Sequence, residues 1–347
     1  MRILLLRTSA LGDVIHCLPV LTALRRDLPE STIGWVVERA MAPVLEDHPD
    51  IDELFVVRMR EWRHRLRARR TWREILEVRR RLRCFRADVV FDLMGNHKAG
   101  ALARLSGCHR RVGLRRQDRR EPSSALWINE PVPALGRHAV ERALSLLPAV
   151  GIEADFAGAD FAGGKLFQQP SAEADRLTAA GEVYALLSPG AGWENKRYPS
   201  RLWGQAARQI HETSGIPIWV TCGPGEEGLA EELVAAGGDA ARLLGPTDLP
   251  TLAWLMRRSR LFLGGDTGPL HLAHALGTPV LSLMGPTDPS THGPFGNPDR
   301  ALVRRLPCSF CHQRMDEPKA CMMALPPLKV AARAVEILNA HGHLAIH

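Results

Sequence analysis

Residues 261–293 read LFLGGDTGPLHLAHALGTPVLSLMGPTDPSTHG, and this pattern predicts a strand, a loop, a helix and a second strand. Each strand runs into a loop of glycine, aspartate and threonine, first at 264–268 and then at 285–289. Ligands of open α/β sheets bind at the carboxyl ends of the strands. The first loop also opens the helix, whose unpaired N–H groups favour an anionic ligand. The stretch therefore predicts part of a binding site for a negatively charged molecule.

The same alternation of apolar strands and helices extends along the chain. A buried strand at 2–8 and a helix at 14–28 are predicted near the start, and a strand at 183–187 opens the second half. Residues 151–182 are rich in Ala, Gly, Asp and Gln and have little periodicity, which is typical of a connection between domains. The alternation predicts an α/β fold with a parallel, doubly wound sheet.

Length and composition are those of a soluble protein with two domains. The chain has 347 residues, of which 45% are apolar and 24% charged. We predict domains at 1–165 and 180–325, and a C-terminal helix within 326–347 that packs back across the domains. No stretch approaches the roughly 20 apolar residues of a membrane span, and no signal peptide is apparent, so we expect a cytoplasmic protein. An odd number of cysteines, seven, also favours a reducing compartment.

The last cysteines form a pattern that superficially resembles a zinc site. Cys308 and Cys311 are spaced as Cys-x2-Cys, His312 follows, and Cys321 lies further on. A structural zinc site usually has a second such pair, and this chain has none there. We therefore favour a locally packed loop and predict no metal.

Residues 223–228, GPGEEG, formally match the dinucleotide-binding fingerprint. Glu226 and Glu227 stand where the phosphates would bind, and their charges would repel them. We therefore reject a pyrophosphate site here. A carboxylate at this position suits the hydroxyl groups of a ribose or a base, and the sequence does not choose between the two glutamates.

A second loop with phosphate-binding character follows the strand at 183–187. Ser188 and Gly190 are small enough to let backbone amides approach phosphate oxygens, and Lys196 supplies a positive charge. The alternative is an ordinary surface loop with a solvent-exposed lysine.

Asp13 is the candidate base. It follows Gly12 at the end of the first strand's loop, where glycine lets a second molecule approach closely. Residue type alone also allows a plain N-cap, since Asp is a preferred residue at the start of a helix.

Arginine is concentrated in one segment. Residues 58–86 contain thirteen arginines against Glu61, Glu74 and Glu77, in a chain whose net charge is +7. Such a run forms a solvated helix face, a clamp for carboxylates or phosphates, or a surface attracted to an anionic membrane. A basic nucleic-acid-binding protein is a remote alternative that leaves the second domain unexplained, and we expect no nucleic-acid partner.

Four motifs together resemble the lipopolysaccharide heptosyltransferases, glycosyltransferase family 9. They are RTSALGDV at 7–14, SPGAG with a following lysine at 188–196, GDTGPLH at 265–271 and GPTDP at 285–289. Each is modest alone, but all four occur in the family's order over almost the whole chain. The N-terminal half most resembles heptosyltransferase I, and the cysteine-bearing C-terminal segment is more similar to heptosyltransferase II.

The resemblance implies a GT-B fold, in which two Rossmann-like domains face each other across a cleft. It implies transfer of heptose from ADP-L-glycero-D-manno-heptose to a Kdo-lipid A acceptor in lipopolysaccharide core biosynthesis. It also implies that the reaction is inverting, needs no metal or other cofactor, and takes place at the anionic cytoplasmic face of the inner membrane. The alternative is a family 9 enzyme that acts on a later heptose or uses another nucleotide sugar.

The resemblance and the residue chemistry together assign the site. Asp13 takes the proton of the acceptor hydroxyl. The donor is assigned to Ser188, Gly190, Lys196, Glu226, Glu227, Asp266, Thr267, Gly268 and His271. The acceptor, with its carboxylate and phosphates, is assigned to Arg60, Arg63, Arg120 and Arg142.

Within the donor site, each group has an expected partner. Lys196 and the backbone amides of Thr267 and Gly268 hold the diphosphate, while Asp266 binds heptose hydroxyls. His271 lies one turn into the helix and either contacts phosphate or sugar or is simply a buried helix histidine.

Overall fold

The computed structural model describes residues 1–161, 163–178, 181–311, 313 and 320–341. The chain divides into two compact units, which we call the N-unit (residues 1–166) and the C-unit (residues 167–347). Within the described residues, each unit contains one sheet of six parallel strands with helices packed on it. This confirms the predicted α/β class. Among the helices described, none combines the length and the apolar character that crossing a bilayer requires.

The N-unit winds around a strand near the N-terminus. Its strands are β1 (Arg2–Leu6), β2 (Thr32–Glu38), β3 (Glu53–Val57), β4 (Val89–Asp92), β5 (Arg110–Leu114) and β6 (Glu130–Val132). Its α-helices are α1 (Leu11–Ile15), α2 (Leu18–Asp27), α3 (Met59–His64), α4 (Arg69–Phe85), α5 (His97–Ser106) and α6 (Ala139–Leu144). The strand order is β3-β2-β1-β4-β5-β6, so the winding reverses between β1 and β4.

The C-unit repeats this topology. Its strands are β7 (Ala185–Ser188), β8 (Ile218–Cys222), β9 (Ala241–Pro246), β10 (Leu261–Gly265), β11 (Val280–Met284) and β12 (Ala301–Val303). Its α-helices are α7 (Ala172–Leu177), α8 (Ser200–Ser214), α9 (Glu227–Gly237), α10 (Leu249–Arg258), α11 (Gly268–Ala275), α12 (Pro289–His292), α13 (Ala320–Met323) and α14 (Pro327–His341). The order β12-β11-β10-β7-β8-β9 reverses between β7 and β10, which is the same Rossmann arrangement.

Short 3₁₀ helices complete several of the connections. They lie at Arg39–Val44, Arg116–Asp118, Pro122–Trp127, Leu147–Val150, Lys165–Phe167, Glu194–Lys196, Gly238–Ala240 and Pro298–Arg300.

The central strands are apolar at successive positions because helices cover the sheets. Residues 3–6 of β1 are completely buried, as is typical of a central strand in a parallel sheet. In the C-unit, Trp203 of α8 and Ile337 of α14 belong to one buried cluster on the sheet. Helix α14 packs on α8, and the Tyr198 hydroxyl donates a 2.7 Å hydrogen bond to the Leu325 carbonyl just before it. Packing of the C-terminal helix across both domains stays a prediction.

The predicted helix at 14–28 is wrong in its bounds. The structure has two helices there, and the first begins before Asp13. The second starts at Leu18 with Pro19 in its first turn. Proline has no N–H to continue a preceding helix but fits the first turn of a new one. The break leaves Asp13 in a short helix directly after β1.

Candidate active site

Asp13 and several of the predicted donor residues lie where the winding of each sheet reverses. In the N-unit, Asp13 lies in α1 directly after β1. In the C-unit, Ser188 ends β7 and Asp266 follows β10. Ser188 is in register with Gly264 across the β7–β10 pair, so the loops that follow these strands are neighbours. Open α/β sheets bind ligands at such reversals, at the carboxyl ends of the strands.

Asp13 has a defined partner for each carboxylate oxygen. Its Oδ1 lies 2.6 Å from Nη2 of Arg7, and its Oδ2 accepts a 3.1 Å hydrogen bond from the Ala10 N–H. Ala10, not Asp13, is the N-cap of α1, so the plain N-cap alternative is wrong. Asp13 instead caps the helix from inside its first turn. Its side chain remains 27% exposed, which leaves the oriented carboxylate accessible.

Arg7 connects Asp13 to the other side of the reversal. Its Nη1 donates to the carbonyl of Leu93, directly after β4. Burial acts to lower the pKa of Arg7, but the charge of Asp13 and the hydrogen bond to it outweigh burial, and the pKa lies above its ordinary value. Arg7 is therefore a permanent cation that holds Asp13 in place and favours its ionised form.

A buried ion pair that sequence reasoning missed shapes the neighbouring loops. Asp92 at the end of β4 pairs with Arg119, and both side chains are completely buried. Arg119 also donates to the Ser124 hydroxyl at 2.9 Å, and Asp92 accepts from the Gly95 N–H at 3.0 Å. The pair thereby ties the loop after β4 to the loop that carries Arg120. The sequence does contain a signal that could have identified Asp92, because it is an aspartate at the end of a strand beside the reversal.

The predicted acceptor arginines form two separate pairs. Arg60 and Arg63 both lie on α3 and are exposed. Arg120 is exposed in the loop next to Arg119, and Arg142 of α6 donates to the Asp118 carbonyl at the start of the same loop. Within the described part of the chain, no hydrogen bond or ion pair joins one pair to the other. Arg142 is thus engaged with backbone, while the other three guanidinium groups are open to solvent.

Lys196, Asp266 and His271 form a compact cluster in the C-unit. Asp266 Oδ2 lies 2.6 Å from Lys196 Nζ, and Asp266 Oδ1 lies 3.2 Å from His271 Nε2. All three side chains are largely buried. The lysine ammonium also lies 4.7 Å from the centre of the Trp193 ring. The lysine therefore does not belong to an ordinary surface loop, because a carboxylate and an aromatic face hold it beside β10.

The charges of this cluster are set by its contacts. Burial acts to raise the pKa of Asp266, but the hydrogen bond with His271 and the charge of Lys196 outweigh it, and the pKa lies well below its usual range. Asp266 is therefore ionised. As an anion it compensates Lys196, which the sequence had assigned to phosphates alone. A ligand diphosphate here would compete with Asp266 for the ammonium group.

The start of α11 carries unused hydrogen-bonding groups. Thr267 is the N-cap residue, yet its side chain makes no capping hydrogen bond. Its buried Oγ1 has no partner among the described residues, and the same is true of Thr287 Oγ1 in the loop after β11. Buried hydroxyls are nearly always hydrogen-bonded, so these two are suited to a ligand. Thr287 is not among the residues assigned from the sequence, although it lies in the GPTDP motif at 285–289.

The structure distinguishes the two glutamates of the rejected fingerprint. The Glu226 carboxylate accepts a 3.0 Å hydrogen bond from the Gly223 N–H and lies against Gly190, where a Cβ would overlap it. Glu227 instead points to solvent and accepts from the Gly225 N–H at 3.1 Å. Hydrogen bonds from backbone N–H groups hold the pKa of Glu227 below its usual value. Only Glu226 therefore lies against the loop after β7.

The cysteine segment shows no metal-binding arrangement in the residues that are described. Cys308 is exposed, Cys311 is half-buried and Cys321 is buried. Burial raises the pKa of the Cys321 thiol. No group of three or more His, Cys, Asp or Glu side chains is placed to hold a metal ion in the described ranges. His312 lies outside those ranges.

Comparisons with known proteins agree with the motifs. The model of glycosyltransferase family 9 (heptosyltransferase) matches residues 75–321. Lipopolysaccharide heptosyltransferase 1 of Pseudomonas aeruginosa is 33% identical over 313 residues, which cover 90% of this chain and 86% of the relative. The Escherichia coli K12 protein of the same name is 30% identical over 310 residues, covering 88% of this chain and 94% of the relative.

Solved structures of the E. coli heptosyltransferase WaaC are similar throughout. The structure with ADP superposes with a TM-score of 0.80 at 28% identity and covers 97% of this chain and 100% of that one. The structure with ADP-2-deoxy-2-fluoro heptose has a TM-score of 0.73 at 27% identity and covers 99% and 100%. With the two Rossmann units, this likeness confirms the GT-B fold class. The chain therefore belongs to glycosyltransferase family 9, the heptosyltransferases, and is a glycosyltransferase similar to heptosyltransferase 1.

Proposed function

We propose that this enzyme transfers heptose from ADP-L-glycero-D-manno-heptose to the Kdo-lipid A acceptor of the lipopolysaccharide inner core. The observation that carries the proposal is the Lys196–Asp266–His271 cluster beside the unused groups of Thr267 at the start of α11. It offers a cation, a helix N-terminus and a fixed carboxylate to a ligand that has a diphosphate and a sugar. The WaaC structures that resemble this chain hold such ligands.

Different side chains of the C-unit bind different parts of the donor. The diphosphate is bound by the Lys196 ammonium, the Thr267 hydroxyl and the backbone amides of Thr267 and Gly268, at the positive end of α11. Asp266 accepts hydrogen bonds from heptose hydroxyls, and His271 keeps it oriented. Glu226 binds the ribose hydroxyls, because it alone of the two glutamates lies against the loop after β7.

The N-unit supplies the base. The acceptor hydroxyl oxygen forms a bond to the anomeric carbon, the bond from that carbon to the diphosphate oxygen breaks, and the hydroxyl proton passes to Asp13. One displacement of this kind inverts the anomeric configuration. ADP leaves as a stabilised anion held by Lys196 and α11, so no acid has to protonate it and no metal has to neutralise it. Arg7 fixes Asp13 at the orientation that the proton transfer needs.

The acceptor is anionic, and the N-unit presents arginines to it. Arg60, Arg63 and Arg120 are exposed and able to bind the Kdo carboxylate or the lipid A phosphates. Arg142 acts by holding the loop that carries Arg120, through the Asp118 carbonyl. Because the acceptor is a lipid, we place the enzyme peripherally on the cytoplasmic face of the inner membrane.

Product analysis tests the proposal. The protein is incubated with ADP-heptose and Kdo2-lipid A, with and without EDTA, and ADP release is compared with the mass of the lipid. We expect one heptose added per ADP released, unchanged by EDTA, and an inverted anomeric centre by NMR. Absence of ADP release would refute the proposal. Turnover only with an already heptosylated acceptor, or only with another nucleotide sugar, would establish the family 9 alternative.

A further inference from the structure

The basic character of the chain comes from one segment of the N-unit. Residues 58–86 carry thirteen arginines and three glutamates, a net charge of +10, whereas the whole chain carries +7. The remainder of the protein is therefore net negative. The segment folds as α3, a short loop and α4.

Helix α4 has two contrasting faces. One face packs on the rest of the N-unit, and its buried residues are Thr71, Leu82 and Phe85. Trp72 and Leu76 are one helical turn apart and lie on the opposite side, both more than half exposed. An outward-facing tryptophan and leucine are not what a merely solvated helix face requires.

A third apolar side chain extends this exposed surface. Leu66, in the loop before α4, is 51% exposed, and its carbonyl accepts a 2.8 Å hydrogen bond from the Trp72 indole N–H. The hydrogen bond holds the loop beside the tryptophan, so Leu66 adds a third exposed apolar residue to Trp72 and Leu76, and we call these three the apolar cluster. The indole N–H is already satisfied, which leaves the ring free to enter an apolar environment.

The arginines around the cluster are of two kinds. Arg70, Arg80 and Arg81 pair with Glu74, Glu77 and Glu53 at 2.9, 2.9 and 3.1 Å. Others are exposed and form no ion pair within the described parts of the chain, namely Arg65, Arg67, Arg69, Arg73 and Arg83. Glu74 and Glu77 are thus paired with the first kind, and Glu61 lies 3.7 Å from Arg39 outside the segment, so the second kind presents uncompensated charge.

We propose that this basic–apolar face, formed by Leu66, Trp72, Leu76 and the five unpaired arginines, docks on a bilayer surface rich in anionic phospholipids. Helix α4 lies in the plane of the interface, the apolar cluster enters the boundary between headgroups and acyl chains, and the guanidinium groups bind lipid phosphates. Charge alone would fit a nucleic acid as well. Two leucines beside the tryptophan favour acyl chains instead, because they have no flat face on which bases stack.

The inference rests on the peripheral location proposed above but is tested without glycosyl transfer. The full chain is sedimented with vesicles of phosphatidylcholine alone or mixed with phosphatidylglycerol, in the absence of donor and acceptor. We expect binding only to the mixed vesicles, weakening as salt is raised. Equal binding to both vesicles, or to neither, would overturn the proposal.

Two pairs of variants locate the surface. Arg69, Arg73 and Arg83 changed together to glutamine should weaken vesicle binding about a hundredfold, at about fivefold for each arginine. The control changes three exposed C-unit arginines, Arg201, Arg257 and Arg304, which removes the same charge. It should change binding by less than about twofold if docking is local.

The apolar contribution has its own control. Trp72→Glu should abolish sedimentation with the mixed vesicles, whereas Leu135→Glu, at an equally exposed N-unit position, should leave most of it. Both variants should keep the melting curve and the turnover of a detergent-dispersed acceptor, which separates docking from catalysis. Equal loss in both variants, or tight salt-dependent DNA binding without vesicle binding, would contradict the membrane assignment.

Discussion

Asp13 is the residue on which the proposed chemistry depends, and its two oxygens are used unequally. One oxygen pairs with Arg7, and the other caps α1 through the Ala10 N–H. An ionised carboxylate is a weak base, so it works by being in the right place when the acceptor hydroxyl begins to lose its proton. The contacts of Asp13 provide this positioning.

Replacing Asp13 therefore separates turnover from donor binding. Asp13→Asn keeps the shape and an acceptor for the Ala10 N–H but removes the basic oxygen. We expect kcat to fall about a hundred- to ten-thousand-fold while the Kd for ADP stays nearly constant. Steady-state kinetics and titration calorimetry measure the two quantities. A large rise in the Kd would show that Asp13 serves the donor rather than the proton.

Replacing Asp266 should lower the free energy of unfolding by an amount that depends on pH. Asp266→Asn leaves buried Lys196 without its partner, which costs about 3–5 kcal/mol of unfolding free energy near neutral pH. The folded pKa of Asp266 lies below its unfolded value, so its contribution is complete above about pH 4 and is lost as the pH falls below that value.

Urea unfolding at a series of pH values measures this effect. The difference between wild type and Asp266→Asn should shrink as the solution is acidified below about pH 4. The control, Asp239→Asn, changes an exposed aspartate of the same unit. It should leave the free energy of unfolding unchanged at every pH. A difference that is constant over the whole range would contradict the assigned ion pair.

A substitution at Gly190 tests whether Glu226 binds the donor. In Gly190→Ala the new Cβ overlaps the Glu226 carboxylate and must displace it. Loss of a charged hydrogen bond corresponds to about ten- to a hundredfold in the Kd for ADP, measured by calorimetry. Gly228→Ala is the matched control, since a Cβ there meets nothing within 4 Å. If both variants bind ADP like the wild type, Glu226 has no part in the site.

At the scale of elements, α14 is held by one of its faces. Ile337 is 2% exposed within the C-unit core, and Leu328 on the same helix is 68% exposed. Ile337→Ala should lower the unfolding free energy by about 2–5 kcal/mol because it opens a cavity, and Leu328→Ala should change it by less than about 0.5 kcal/mol. Chemical denaturation of both variants measures this. Equal losses would mean that α14 is not packed as described.

Element boundaries show where local pattern was insufficient. The apolar runs of β1 and β10 were predictable because central parallel strands are buried on both faces. The break between α1 and α2 was not predicted, although Pro19 signals it, because the apolar periodicity continues across the break. That break places Asp13 inside the first turn of α1, where Ala10 serves as the N-cap.

At the scale of the molecule, the two units use one topology in the same way. In each, the chain reverses its winding beside the first strand of the unit, and a side chain bridges the reversal. Arg7 reaches the Leu93 carbonyl in the N-unit, and Lys196 reaches Asp266 in the C-unit. The candidate base and the candidate donor cluster are thus equivalent positions of two Rossmann sheets, adapted to different partners.

The sequence by itself determined the α/β class, the family and the loops in which the candidate site residues lie. These depend on local signals, namely apolar periodicity and small or acidic residues directly after a strand. Tertiary structure alone decided the partners. Arg7 with Asp13, Asp92 with Arg119, and Glu226 rather than Glu227 against Gly190 follow from which strands are neighbours and how far each side chain reaches. Strand order and loop geometry result from packing the whole sheet, so a local pattern does not contain them.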